Sequence, residues 1–218
     1  GGVSGRFTGA LDGGAAVAGL VEPGPGGRPA VKVSARDAGA ALASANIFGK
    51  ARGGALGLTL TPTGKHSYDG SATATNLRVK DAPVLASMLS AASIIGLLEQ
   101  LNGAGILFST AEARFRLTPE GLSLTRGEAL GASMGVTMTG NYYPGSGQID
   151  MQGVISPFYI VNAVGQIFAR RGEGLFGFTY SLTGAAKAPK VVINPLSIFT
   201  PGMFREIFRR APPKLVTE

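Results

Sequence analysis

The residues able to do covalent or metal chemistry are few. The chain has one histidine, His66, and no cysteine. A metal centre needs three or four converging nitrogen, sulfur or oxygen donors, and an activated nucleophile needs a base beside it. His66 follows the turn signal Pro62-Thr63-Gly64-Lys65, where a histidine is usually solvated, and no second histidine completes a set. Asp69 is a lone carboxylate. Asp37 and Asp81 each precede a helix-forming stretch, which favours N-capping over general-base work. A glycosidase pairs two carboxylates in space, but no local spacing here suggests such a pair. Gly53-Gly54 and Gly131-Ala132-Ser133-Met134-Gly135 are not phosphate loops, because neither runs into Lys-Ser/Thr on a helix. The sequence therefore predicts a non-enzymatic protein with no metal and no cofactor. An envelope hydrolase is retained only as a third reading, since carboxylates that meet in three dimensions leave no local trace.

The remaining signal is apolar. Hydrophobic residues make up 44% of the 218 and charged residues only 15%, which argues for a large buried or lipid-facing area. The 34 glycines follow no Gly-X-Y period and fall inside alternating runs, where they suggest turns, bulges and bent strands. Net charge is +7, and residues 170–218 hold eight Lys/Arg against three acids. That excess favours an anionic membrane surface or an envelope partner. Basic residues are rarely interleaved with aromatics and tryptophan is absent, so nucleic acid is a poor fit. Absence of cysteine suits cytosol or periplasm alike. The chain opens on Gly1-Gly2 in mid-pattern and is read as a piece of a longer protein, which leaves targeting unread. The apolar uncharged run Ala82 to Leu98 is marginal as a membrane span.

The elements that must arrange this apolar material alternate between two periods. Val3 to Leu11 reads as a strand. Ala15 to Val21 and Ala30 to Ala35 flank the turn-rich segment 22–29 and form a hairpin. Asp37 caps a short helix from Ala38 to about Phe48. Leu56, Leu58 and Leu60 mark a strand that turns at residues 62–65 into a second one, Ser67 to Lys80. Asp81-Ala82-Pro83 opens one apolar helix over 82–101, with Val84, Met88, Ala91, Ile95 and Leu98 along one stripe. Ala111 to Thr118 pairs with Gly121 to Arg126. Glu128 to Tyr142 reads as one long strand, with Leu130, Met134, Val136 and Met138 on one side, followed by Gln148 to Ile155. Ser156-Pro157 starts another apolar helix to Phe168. Phe176, Phe178, Tyr180 and Leu182 alternate, Val191 to Ile193 form a last strand, and Thr200-Pro201 opens a basic amphipathic helix carrying Met203, Phe204, Ile207 and Phe208 on one face.

The predicted fold is α+β: one domain over residues 1–218, with a large, curved, mainly antiparallel sheet forming an open groove and about three apolar or amphipathic helices packed at it. Small and aliphatic residues alternating along long strands can line a smooth trough for acyl chains. The candidate lining is Leu56, Leu58, Leu60, Leu130, Met134, Val136, Met138, Ile149, Met151, Phe176 and Phe178, subject to inversion by a one-residue slip. Val84, Met88, Ile95 and Leu98 belong to a helix that plugs or edges the trough. Phe204, Arg205, Ile207, Phe208 and Arg209 form a candidate membrane or partner contact. Two readings stay open: a lipid-binding groove, or a structural cap whose helices fill the trough and which docks to a partner.

A resemblance enters on specific segments. Glu173-Gly174-Leu175-Phe176-Gly177, Thr183-Gly184, Pro189, Val192-Ile193-Asn194-Pro195-Leu196-Ser197 and Pro201-Gly202-Met203-Phe204-Arg205 resemble the C-terminal region of AsmA-like proteins, most of all the large YhdP-type members of Gram-negative bacteria. Further similar stretches are Asp37-Ala38-Gly39-Ala40, Val79 to Leu85, Ser93 to Leu98, Gly103 to Phe108 and Gly153 to Asn162. The resemblance implies a periplasmic protein anchored to the inner membrane through an N-terminal segment absent from this chain. It implies a curled β-groove with an apolar interior, related to the TamB and chorein type of bridge-like lipid carrier. It implies a part in moving phospholipids between inner and outer membranes, and it brings no catalytic motif.

Overall fold

The computed structural model describes residues 2–11, 14–157 and 177–194. One twelve-stranded sheet organises them: β1 (Gly5–Ala10), β2 (Ala16–Pro23), β3 (Pro29–Ala35), β4 (Ala51–Arg52), β5 (Ala55–Pro62), β6 (Tyr68–Val79), β7 (Ile106–Leu117), β8 (Leu122–Gly131), β9 (Met134–Tyr143), β10 (Gln148–Pro157), β11 (Phe178–Ala185) and β12 (Lys190–Asn194). Strands follow one another in chain order and every pairing is antiparallel, so the sheet is a meander. Only β4 lies off the path, continuing along β6 beyond the end of β5. It is open rather than closed, and among the described residues three α-helices pack at it, so the fold is α+β with a curved groove.

Curvature has local causes. The β7–β8 ladder shifts register between Phe108 and Thr110 and again between Arg114 and Phe115, and the β8–β9 ladder shifts between Leu124 and Gly127. Each extra residue bends its strand and raises the local twist. Between β4 and β5 the chain kinks at Gly53 and Gly54, with φ of 63° and 80°. A Cβ on Gly54 would stand 2.5 Å from the Thr75 carbonyl oxygen, so the kink needs glycine there.

Helices interrupt the meander at one end of the strands. Helix α1 (Ala38–Ser44) is capped as expected: the Asp37 carboxylate accepts from the Ala40 N–H at 2.9 Å. It is shorter than predicted, because Asn46 takes a left-handed φ of 55° and ends it. The single helix predicted over 82–101 is two, α2 (Pro83–Ala91) and α3 (Ile95–Asn102). Ser93 at φ 57° breaks them, with Ser93 N–H on Ser90 O and Ile94 N–H on Leu89 O. This is a Schellman stop built without glycine. Nor does Asp81 cap α2: Ala82 holds the N-cap position with no side-chain cap, and Asp81 sits at φ 50°.

Two further expectations are corrected. The long strand predicted from Glu128 to Tyr142 is a hairpin, with Gly131 ending β8 and Met134 starting β9 across the bend at Ala132-Ser133. Ser156 and Pro157 remain in β10 rather than opening a helix. The helix predicted to reach Phe168 and the one opening at Thr200 fall outside the described residues.

Candidate functional site

Register turns the alternation of single strands into one two-sided surface. Val17 pairs with Ala35, Ala35 with Leu56, Leu56 with Ala74, Ala74 with Ala111, Ala111 with Ala129, Ala129 with Val136, Val136 with Ile155, and Ile155 with Phe178. A parallel row runs Gly19, Val33, Leu58, Ala72, Ala113. The next runs Val21, Val31, Leu60, Gly70, Phe115, Leu124. Directly paired residues share a face, so these rows form one apolar face across the sheet. The opposite face carries hydroxyls and charges, including ion pairs Lys32–Glu22 at 2.9 Å, Arg116–Asp69 at 2.8 Å and Arg126–Glu128 at 2.7 Å. Hydrogen bonding and then the charge of Asp69 raise Arg116 above its ordinary pKa, and Glu128 does the same for Arg126. A shallow depression of about 360 Å³ on that polar side is lined by Thr59, Asp69, Ser71, Arg114 and Arg116, among others.

The apolar face is divided. Over β8–β12 it lies under α2 and α3: Met88, Leu89, Leu97 and Leu101 share one buried cluster with Met134, Met151, Ile155, Phe178, Tyr180 and Leu182. A second, smaller cluster joins α1 to the face at Ala74 and Leu77, with Leu42, Leu56 and Ala111 packed on it. Between them, Val21, Val31, Val33, Leu58, Leu60, Phe115, Leu117, Leu122 and Leu124 are half-buried and belong to neither cluster. This stretch, from β2 to β8, is the candidate site.

Its floor is kept shallow by glycine. A Cβ on Gly70 would stand 2.2 Å from the Phe115 ring, and one on Gly19 would stand 2.0 Å from the Phe7 ring, so each ring lies flat over the glycine of the neighbouring strand. Under the helices the Tyr180 hydroxyl passes close to Gly153 and donates to the Thr137 carbonyl at 2.7 Å.

The predicted lining separates accordingly. Leu56, Leu58 and Leu60 lie on the apolar face, Leu56 at the edge of the α1 cluster. Met134, Val136, Met138, Ile149, Met151 and Phe178 share that face but pack beneath α2 and α3. Leu130 does not share it: the hairpin places Leu130 opposite Gly135, out of phase with Met134 and Val136, and Ala129 takes the apolar position. Of the plug residues, Met88 is buried and Val84 and Leu98 pack on the cluster, whereas Ile95 is 67% exposed because the break at Ser93 shifts the helical phase. Phe176 and the contact residues Phe204, Arg205, Ile207, Phe208 and Arg209 lie outside the described residues. The prediction omitted Val31, Val33, Phe115, Leu122 and Leu124. Their signal was present, as in Ala113-Arg114-Phe115-Arg116-Leu117, where apolar and charged residues alternate.

His66 is exposed in the β5–β6 turn. Among the described residues no group of three metal-ligating side chains converges, and no helix is long and apolar enough to cross a membrane. Compared with family models, curated proteins and solved structures, the chain finds no significant match.

Proposed function

We propose that the chain is a non-enzymatic lipid-binding module in which phospholipid acyl chains lie against the apolar face between β2 and β8 while their headgroups stay at the open side. The observation that carries this reading is the continuous apolar face, half-buried over β2–β8 yet outside both buried clusters. Six strands along the path span about 24 Å at about 4.8 Å per spacing, which exceeds the roughly 15 Å of hydrocarbon in one leaflet. Each methylene taken out of water contributes about 0.8 kcal/mol, and transfer along such a surface requires no bond to be made or broken. The resemblance to AsmA-like proteins supports extending the proposal to phospholipid transport between inner and outer membranes, with the chain in the periplasm as part of an inner-membrane-anchored protein.

Native mass spectrometry of gently purified protein, then delipidation and re-exposure to phospholipid vesicles, tests the proposal. The expected result is co-purified phospholipid and renewed uptake, both lost in Leu58→Asp/Phe115→Asp while the β-rich circular dichroism spectrum persists. Folded, delipidated protein that takes up no phospholipid overturns it.

The placement of α2 and α3 on the same face favours a second reading, a structural cap that ends a groove and docks through Phe204, Ile207, Phe208, Arg205 and Arg209. On that reading Leu58→Asp/Phe115→Asp unfolds the chain, and Phe208→Glu abolishes docking alone.

A further inference from the structure

We propose that the turn after α1 is a docking tip for an anionic bilayer surface: Ile47 and Phe48 enter the interface, and Lys50, Arg52, Arg78 and Lys80 meet the headgroup phosphates. This contact is separate from acyl-chain binding on the sheet and does not depend on it.

Two helices in the molecule end in the same motif, which supplies an internal comparison. After α2, Ser93 is left-handed and the following residue, Ile94, donates its N–H to Leu89 O and packs on the core that contains Leu89. A hydrophobic contact of this kind usually accompanies a Schellman stop. After α1, Asn46 is left-handed, its N–H reaches Ala43 O, and the Ile47 N–H reaches Leu42 O at 2.9 Å. Ile47 occupies the place of Ile94, yet it is 71% exposed. Phe48 beside it is also exposed, and its N–H shares the Leu42 carbonyl at 3.1 Å. The apolar pair is thus held outward by fixed backbone.

The turn is anchored from below. A Cβ on Gly39 would stand 2.6 Å from the Ala51 carbonyl oxygen, so α1 rests directly on β4. The Arg52 guanidinium donates to the Gly49 and Ala51 carbonyls at 2.8 and 2.7 Å.

The β4–β6 ladder then gathers cations. Arg52 pairs directly with Arg78, and the Lys80 N–H donates to Lys50 O at 3.1 Å. All four side chains are exposed, and among the described residues none forms an ion pair with a carboxylate. Like charges directly opposite each other on a ladder are unfavourable. A polyanionic surface relieves that repulsion, and one with a hydrocarbon layer beneath its phosphates also takes up Ile47 and Phe48. Nucleic acid offers the phosphates but not the apolar layer.

The absence of cysteine permits single-site labelling. A polarity-sensitive fluorophore is placed at Ile47→Cys and, as a control in the turn at the far end of β5 and β6, at Lys65→Cys of the full chain. Each is titrated with phosphatidylcholine vesicles with and without phosphatidylglycerol. The expected result is a blue shift at position 47 with the anionic vesicles only, reversed by salt, and none at position 65. Lys50→Glu/Lys80→Glu should weaken partitioning by more than about tenfold, since each juxtamembrane cation contributes several-fold. If that variant loses its circular dichroism spectrum, Ile47→Ser/Phe48→Ser replaces it, with the same loss expected. The proposal is overturned if no vesicle binding occurs, if binding leaves position 47 in water, or if folded variants bind like the parent. Lipid uptake measured on the same samples reports on the sheet independently, so either idea can fail alone.

Discussion

At the scale of residues, the apolar face is shaped by what glycine allows. The Tyr180 hydroxyl passes close to Gly153, and the two positions make distinct demands. A Cβ on Gly153 would stand 1.8 Å from the Thr137 carbonyl oxygen and 2.7 Å from the Tyr180 hydroxyl. Gly153→Ala must therefore push β9 from β10 and displace the hydroxyl, a backbone clash expected to cost about 3 kcal/mol or more. Tyr180→Phe keeps the ring and removes only the hydroxyl bond to Thr137, which is expected to cost about 1–2 kcal/mol. Urea denaturation of the two variants checks the order, and a milder effect for Gly153→Ala would show that the hydroxyl is not placed as described. The sequence alone presents glycines inside strands as marks of turns, bulges and bends, not as seats for aromatic side chains. Which aromatic covers which glycine depends on register, and register between strands is invisible in a single chain.

Elements were legible where the period was clean and obscure where a bend carried no glycine or proline. The hairpin of β2 and β3, the Asp37 cap and the alternation of Leu56, Leu58 and Leu60 all followed from local rules. The bend at Ala132-Ser133 did not, since the small residues on either side continue a strand pattern. One missed turn inverted the phase of Leu130. The break at Ser93 was hidden similarly, because a left-handed serine leaves no strong sequence mark and the apolar stripe runs through it. The corrected phase makes a prediction. Leu89 and Leu101 are fully buried, one on each helix, whereas Ile95 is 67% exposed. Leu89→Ala and Leu101→Ala should each cost about 2–5 kcal/mol through lost burial and a residual cavity. Ile95→Ala should change stability by less than about 0.5 kcal/mol. Chemical denaturation midpoints distinguish this from a continuous 82–101 helix, in which Ile95 would rank with the buried pair.

At the scale of the molecule, the described helices cover the apolar face of the sheet unevenly, and over β10 and β11 the opposite side is buried as well, at Val154, Ser156 and Thr179. The sheet's class was readable, because the alternating period recurs in strands such as β5, β6 and β7. Division into a covered and an uncovered part was not, since it depends on where helices fold back. This division implies a gradient of stability. The last strands share the large cluster under α2 and α3, whereas every residue of β1 is exposed and, among the described residues, β1 pairs with β2 alone. Local opening follows buried apolar contacts, so amide exchange should be slowest in β9–β11 and fastest in β1. A ligand that binds only the folded state adds stability in proportion to the logarithm of its saturation, and the added protection concentrates where it binds. If acyl chains occupy the uncovered stretch, loading delipidated protein with phospholipid should slow exchange in β3, β5, β6 and β7 and leave β10 and β11 nearly unchanged. Slowing confined to β10 and β11 would instead place lipid beneath α2 and α3, and would require those helices to move off the face they now cover.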